Sequence, residues 1–136
     1  MDDLIDDRAA ELRLRYLEDQ ILMASPEQRL LMLFDGLGAD LKAAEEAFSA
    51  GDLKRINDHL VHAQEILLAL RDPLDASSEV GRALGALYTY FHAELVRANL
   101  EKDSAPIRPI AAMLERIAQA NRAVASKDRE PLAFAS

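Results

Sequence analysis

The sequence predicts an all-α protein, an antiparallel up-and-down four-helix bundle with an additional N-terminal helix. Three observations predict it. Of 136 residues, 24 are Ala and 22 are Leu but only 5 are Gly and 5 are Pro, so helix formers dominate over residues typical of strands and turns. Apolar residues recur at helical spacings over four long segments. Only a few residues separate these segments, and short connections make consecutive helices antiparallel neighbours.

The sequence signals for the first predicted helix are weaker than those for the second. Residues 4–22 carry Leu, Ile and Tyr at mixed helical spacings, which predicts a helix with a ragged apolar face. The second helix begins at Ser25-Pro26-Glu27-Gln28, a capping box with Pro at the first helical position. Its apolar face is formed by Leu30, Leu33, Phe34, Leu37, Leu41 and Phe48.

The other three helices have regular apolar seams. Gly51-Asp52 ends the second helix and caps the third, and Ser77 or Ser78 caps the fourth. The fifth follows Asp103-Ser104, and we expect an irregular start because Pro109 has no amide hydrogen. The residues predicted to lie inside the bundle are Leu33, Leu37, Leu60, Leu67, Leu84, Leu87, Phe91, Leu114 and Ile117.

The length fits one domain. We expect a single domain over residues 1–126, in which 1–22 is the N-terminal helix and acts as a lid and 25–126 is the bundle. Residues 127–136 lose the periodicity and are predicted to be a flexible tail. The start is acidic where a signal peptide is basic, and no apolar run approaches the roughly 18 residues that span a bilayer, so we expect a cytoplasmic protein.

Charge and composition exclude several function classes. Asp and Glu number 24 against 16 Lys and Arg, and this net charge of −8 argues against nucleic acid and anionic membranes as partners. There is no Cys, no Gly-x-Ser-x-Gly and no phosphate-binding Gly loop, so we predict neither an enzyme nor a cofactor. His59 and His62 could share a metal ion, but the Glu-x-x-His pairs of a di-iron bundle are absent. We therefore predict half-exposed surface histidines and no metal site.

The remaining candidates for function are apolar surfaces. Tyr88 and Tyr90 lie about 200° apart on a helical wheel, so both cannot face inward. Leu31, Val61 and Leu68 lie off the main apolar stripes of the second and third helices. Such excess apolar surface is buried under another helix or offered to a partner helix.

The order of motifs resembles the flagellar secretion chaperone family FliS. The resemblance starts at Tyr16 and continues through ASPEQRLLMLFDG, residues 24–36. It resumes in GDLKRINDHLVHAQEILLAL (51–70) and LDASSEVGRALGALYTYFHAELVRAN (74–99), followed by Lys102-Asp103, and covers roughly residues 16–124. Three positions depart from the family pattern: Met23 replaces a usual Thr, Phe34 a usual Tyr and Asn121 a common Trp.

The resemblance implies a cytoplasmic, non-enzymatic chaperone of flagellin. Such a protein binds the disordered C-terminal segment of flagellin, prevents premature polymerisation and hands the client to the flagellar type III export apparatus. Two alternatives stay open: a generic helical-bundle adaptor without a flagellar role, and a ligand- or metal-binding bundle.

We place the flagellin groove along the second and third helices. Asn57 and Gln64 are available to hydrogen-bond the client backbone, and Tyr16 with the N-terminal segment covers part of the groove in the free protein, which we expect to be a monomer. The predicted binding residues are Tyr16, Leu30, Phe34, Ile56, Asn57, Leu60 and Gln64.

Overall fold

The computed structural model describes residues 2–125, which form five helices and no strand. The all-α class is thereby confirmed for this part of the chain. The predicted tail, residues 127–136, lies outside the described residues. The helices are α1 (Asp2–Met23), α2 (Pro26–Ala50), α3 (Leu53–Arg71), α4 (Glu79–Glu101) and α5 (Ile107–Ala125).

The predicted caps set the boundaries of the helices. Ser25 Oγ accepts a hydrogen bond from the Gln28 amide at 3.1 Å, and Gln28 Oε1 accepts one from the Ser25 amide at 2.9 Å. This reciprocal capping box starts α2, and two residues lie between the end of α1 and the start of α2. Gly51 ends α2 with φ at 66°, a left-handed conformation that favours glycine. Ser78, one of the two predicted candidates, caps α4.

The core lies among α2, α3, α4 and α5. Helix α2 packs against α3 and α5, and α3 also packs against α4. This pairing and the short loops agree with an up-and-down antiparallel arrangement, which stays a prediction. The largest fully buried side chains are Leu37, Leu41, Ile56, Leu60, Leu67, Leu70, Phe91, Leu95 and Ile107.

Four of the predicted interior residues are only partly buried, so their placement needs correction. Leu84, Leu87 and Ile117 pack against the core but also line an open cavity of about 290 Å³ between α4 and α5. The cavity exists because α4 and α5 are not extensively packed against each other. Leu33 lines a different, smaller cavity beside the start of α2. The other five predicted residues are buried.

The expectation of an irregular start to α5 is wrong. The helix begins at Ile107 and continues without interruption through Pro109, its third residue. The amides of the first helical turn have no intrahelical acceptor, so a proline there loses no hydrogen bond. The prediction for the two tyrosines is confirmed, since Tyr88 is buried and Tyr90 is exposed. No helix within residues 2–125 is long and apolar enough to cross a membrane.

Candidate protein-binding surface

Among the described residues, helix α1 carries more large exposed apolar side chains than any other helix. It is not extensively packed against any other described helix. Six of its apolar residues are each more than half exposed: Leu12, Leu14, Tyr16, Leu17, Leu22 and Met23. Isolated helices are marginally stable in water, and exposed apolar clusters mark interaction sites. Helix α1 is therefore available to pack against this chain or against a partner.

A cavity of about 690 Å³ separates the second half of α1 from the first half of α2. Tyr16 and Met23 line it from α1, while Leu31 and Met32 line it from α2. Tyr16 is fixed in part by its hydroxyl, which accepts a hydrogen bond from Gln20 Nε2 at 2.9 Å. The volume is that of a small-molecule or peptide side-chain pocket, and the lining is largely apolar. We call this space the α1/α2 cavity; its apolar walls are formed by Tyr16, Met23, Leu31 and Met32.

Two carboxylates give the α1/α2 cavity an acidic edge. Asp19 comes from α1 and Asp35 from α2. Arg122 of α5 donates from Nη2 to Asp35 Oδ1 at 3.0 Å and from Nη1 to Glu115 Oε1 at 3.2 Å. The α2 wall of the cavity is thus tied to α5, while no described ion pair ties Asp19 to another residue.

The predicted binding residues fall into two groups. Tyr16 is exposed and lines the α1/α2 cavity. Leu30, Phe34, Ile56 and Leu60 lie in the core, with exposed fractions of 8%, 6%, 2% and 0%. The structure brings these four together with one another but not with Tyr16. Contact with a client at these four positions needs α2 and α3 to separate, and their role stays a prediction.

The two predicted polar residues lie on α3. Asn57 is exposed, and its Oδ1 accepts a hydrogen bond from Asn99 Nδ2 of α4 at 2.9 Å. Gln64 is half-buried. Leu31 and Met32 are absent from the predicted site, which follows the central apolar stripe of α2. The signal that could have found Leu31 is its position off that stripe.

The two histidines of α3 share a carboxylate that the sequence did not reveal. Asp40 of α2 is buried, with 8% of its surface exposed. Its Oδ1 lies 3.0 Å from His59 Nδ1, and its Oδ2 pairs with His62 Nδ1. The histidines are half-buried and exposed, respectively. Among the described residues, no group of three or more His, Cys, Asp or Glu side chains is arranged to hold a metal ion.

Comparison with known proteins identifies the family. The sequence profile of the family described as "Flagellar protein FliS" matches residues 9–128. The chain belongs to the FliS family. It is 32% identical over 113 residues to the flagellar secretion chaperone FliS of Salmonella typhimurium, covering 81% of this chain and 84% of that protein. The Bacillus subtilis FliS is 32% identical over 89 residues, covering 65% of this chain and 67% of its own length.

A third relative gives the same result. The FliS of Escherichia coli is 32% identical over 106 residues, which cover 76% of this chain and 78% of that protein. The resemblance noted from the motifs is confirmed, and membership of the FliS family supports a role as a flagellar export chaperone. The match includes both walls of the α1/α2 cavity, since Tyr16, Leu31 and Met32 all lie within residues 9–128.

One departure from the family pattern has a local structural explanation. Asn121, at the position where the family resemblance leads us to expect Trp, is buried on α5. Its Nδ2 donates a hydrogen bond to the Ile117 carbonyl at 3.1 Å, one turn earlier. A buried amide is tolerated when its polar atoms are paired.

Proposed function

We propose that this chain is a cytoplasmic, monomeric and non-enzymatic chaperone that binds the disordered C-terminal segment of flagellin. Binding prevents premature polymerisation of the client and supports its delivery to the flagellar type III export apparatus. Membership of the FliS family supports the export role. The observation that carries the proposal is the open, largely apolar α1/α2 cavity beside a helix with exposed leucines.

A disordered client is suited to this surface. A segment that folds on binding gains affinity by placing the apolar face of an amphipathic helix into a groove. Leu31 and Met32 provide apolar surface for such a face, and Asp19 with Asp35 would lie beside basic or polar side chains at its edge. The proposed site comprises Leu31, Met32 and the seven residues predicted from the sequence. Tyr16 lines it as part of the lid, and the four buried residues become accessible only if α2 and α3 separate.

Helix α1 acts in this proposal as a lid. It borders the α1/α2 cavity without filling it, and only Ala24 and Ser25 separate it from α2. A helix held so close to the cavity competes with a client for Leu31 and Met32. Displacement of α1 then exposes these residues to flagellin.

Occupancy explains how such a chaperone blocks polymerisation. A C-terminal flagellin segment held in the cavity is unavailable for contacts with other flagellin molecules. The experiment is a light-scattering assay of flagellin polymerisation. An equimolar amount of this chain should suppress filament growth, and an excess of a peptide copying the flagellin C-terminus should restore it. Unchanged growth in the presence of the folded chain would contradict the proposal.

A further inference from the structure

The pairing of Asp40 with two histidines has a consequence that does not depend on a flagellin client. Two polar side chains are buried among the described residues, those of Asp40 and Asn121, and of these Asp40 alone can carry a charge. Both carboxylate oxygens face an imidazole, and both imidazoles belong to α3. One carboxylate on α2 is therefore shared by two groups that carry a positive charge only when protonated.

The hydrogen-bond pattern fixes the tautomer of each ring. An ionised carboxylate only accepts hydrogen bonds, so Nδ1 of His59 and Nδ1 of His62 must each donate a proton to Asp40. In the neutral rings Nε2 then carries no proton. Protonation adds a proton at Nε2 and leaves both bonds to Asp40 in place. The charge of the cluster changes while its geometry is retained.

Few other charged groups face this cluster. On α2, no residue three or four positions from Asp40 is charged. On α3, Arg55, Asp58 and Glu65 lie three or four residues from one of the histidines. Asp58 pairs with Lys54 at 2.7 Å and also interacts electrostatically with His59. Among the described ion pairs, those between α5 and α2 involve Asp35 and Glu45 of α2. The described ion pair of α1 lies within that helix, and those of α4 join Arg97 to residues of α4 or of the loop that follows it.

We propose that Asp40, His59 and His62 form a proton-responsive clasp between α2 and α3. Each protonated ring carries a positive charge opposite the ionised carboxylate of Asp40, so protonation adds an attraction between opposite charges to each hydrogen bond. Lowering the pH from 8 to 5.5 therefore tightens the contact between α2 and α3. The clasp acts on the same helix that carries Leu31 and Met32, two turns before Asp40.

The tautomers provide the first test. Long-range proton–nitrogen NMR spectra of the neutral rings should show the Nδ1–H form for His59 and His62 in the folded wild-type protein. In the variant Asp40→Leu, which offers no acceptor, at least one ring should lose this form. Nε2–H forms for both rings in the wild type would overturn the proposal.

The pH dependence of stability provides the second test. Urea denaturation of the wild type and of Asp40→Asn should be compared at pH 8 and pH 5.5. The ratio of their folding equilibrium constants should grow in favour of the wild type by about two- to fivefold in total as the pH falls, since ion pairs with exposed partners contribute up to about 1 kcal/mol. Other titrating groups, His92 included, are common to both proteins and cancel in the ratio.

Two further variants serve as a control for this test and as an alternative to Asp40→Asn. Glu45→Gln removes a different bond between helices, the 3.0 Å pair with Arg108, and should change stability by the same factor at both pH values. The double variant His59→Gln, His62→Gln should lose the additional stabilisation at pH 5.5 even if Asp40→Asn does not fold. The clasp would be overturned if the ratio of the wild-type folding equilibrium constant to that of either the Asp40 variant or the double histidine variant were the same at pH 8 and pH 5.5.

Discussion

Asp35 of α2 and Arg122 of α5 form an ion pair of 3.0 Å at the edge of the α1/α2 cavity. The pair joins residues 87 positions apart, so it ties the α2 wall of the cavity to the last helix. Helix α1, on the other wall, has no comparable tie among the described ion pairs, since Arg15 bonds within α1 to Glu11. The α2 wall is therefore the fixed side of the proposed site and α1 the side that can move.

The first prediction separates the two apolar cavities. Met32→Asp should weaken binding of a flagellin C-terminal peptide at least tenfold, because it places a charge in the apolar floor of the α1/α2 cavity. Met113→Asp is the matched control: Met32 and Met113 are 40% and 42% exposed, but Met113 lines the cavity between α4 and α5. Titration calorimetry measures both affinities. If Met113→Asp weakened peptide binding more than Met32→Asp did, the binding site would lie between α4 and α5 instead.

The second prediction concerns the lid. Deleting residues 1–15 and changing Tyr16 to Ala should lower the free energy of unfolding modestly, because α1 has little packing to lose. Flagellin binding should be preserved or strengthened, since a closed population no longer reduces the apparent affinity. Calorimetry with the flagellin peptide measures this effect. Binding more than tenfold weaker, in a variant that circular dichroism shows to be folded, would make α1 part of the binding surface.

The third prediction tests the core between α2 and α3. Leu60→Ala should lower the free energy of unfolding by about 2–5 kcal/mol, through lost burial and the cavity left behind. Leu53→Ala, on the same helix, should cost less than about 0.5 kcal/mol, because surface substitutions have small effects. The exposed fractions of these residues are 0% and 62%. Equal losses in chemical denaturation would show that the seam of α3 is assigned incorrectly.

The fourth prediction follows from a buried phenol. Burial raises the pKa of Tyr88 to about 12, because the ionised form is poorly solvated there. The unfolded chain ionises first, near pH 10, so stability should fall as the pH rises from about 10 to 12. Tyr88→Phe should reduce this loss. Unfolding curves at pH 8, 10 and 11 measure it, and parallel pH profiles for the two proteins would contradict the burial argument.

The helices could be predicted from the sequence because their signals are local. Ser25 with Gln28 and Ser78 with Gly81 make capping bonds within three residues, so the pattern alone locates the start of a helix. The seam of α3 is likewise visible as a regular spacing of apolar residues. Such signals do not say how closely two helices approach. That is why Leu84 and Ile117, which fit their apolar stripes, line an open cavity between α4 and α5.

The site was harder to predict because its contacts join distant residues. Nothing in the sequence near His59 indicates a partner 19 residues earlier in α2, yet Asp40 provides it. The predicted groove was also placed along the most apolar stripe of α2. Leu30 and Phe34 belong to that stripe, and both are buried where α2 packs against the other helices. The accessible apolar residues, Leu31 and Met32, lie beside the stripe, where amphipathicity gives a weaker signal.

The most direct test of the chaperone function is the affinity of the purified chain for full-length flagellin and for flagellin lacking its C-terminal segment. Both can be measured by calorimetry with monomeric flagellin at one ionic strength. We expect one-to-one binding to the full-length protein and loss of binding on truncation. Equal binding to both forms, or no binding to either by the folded chain, would contradict it.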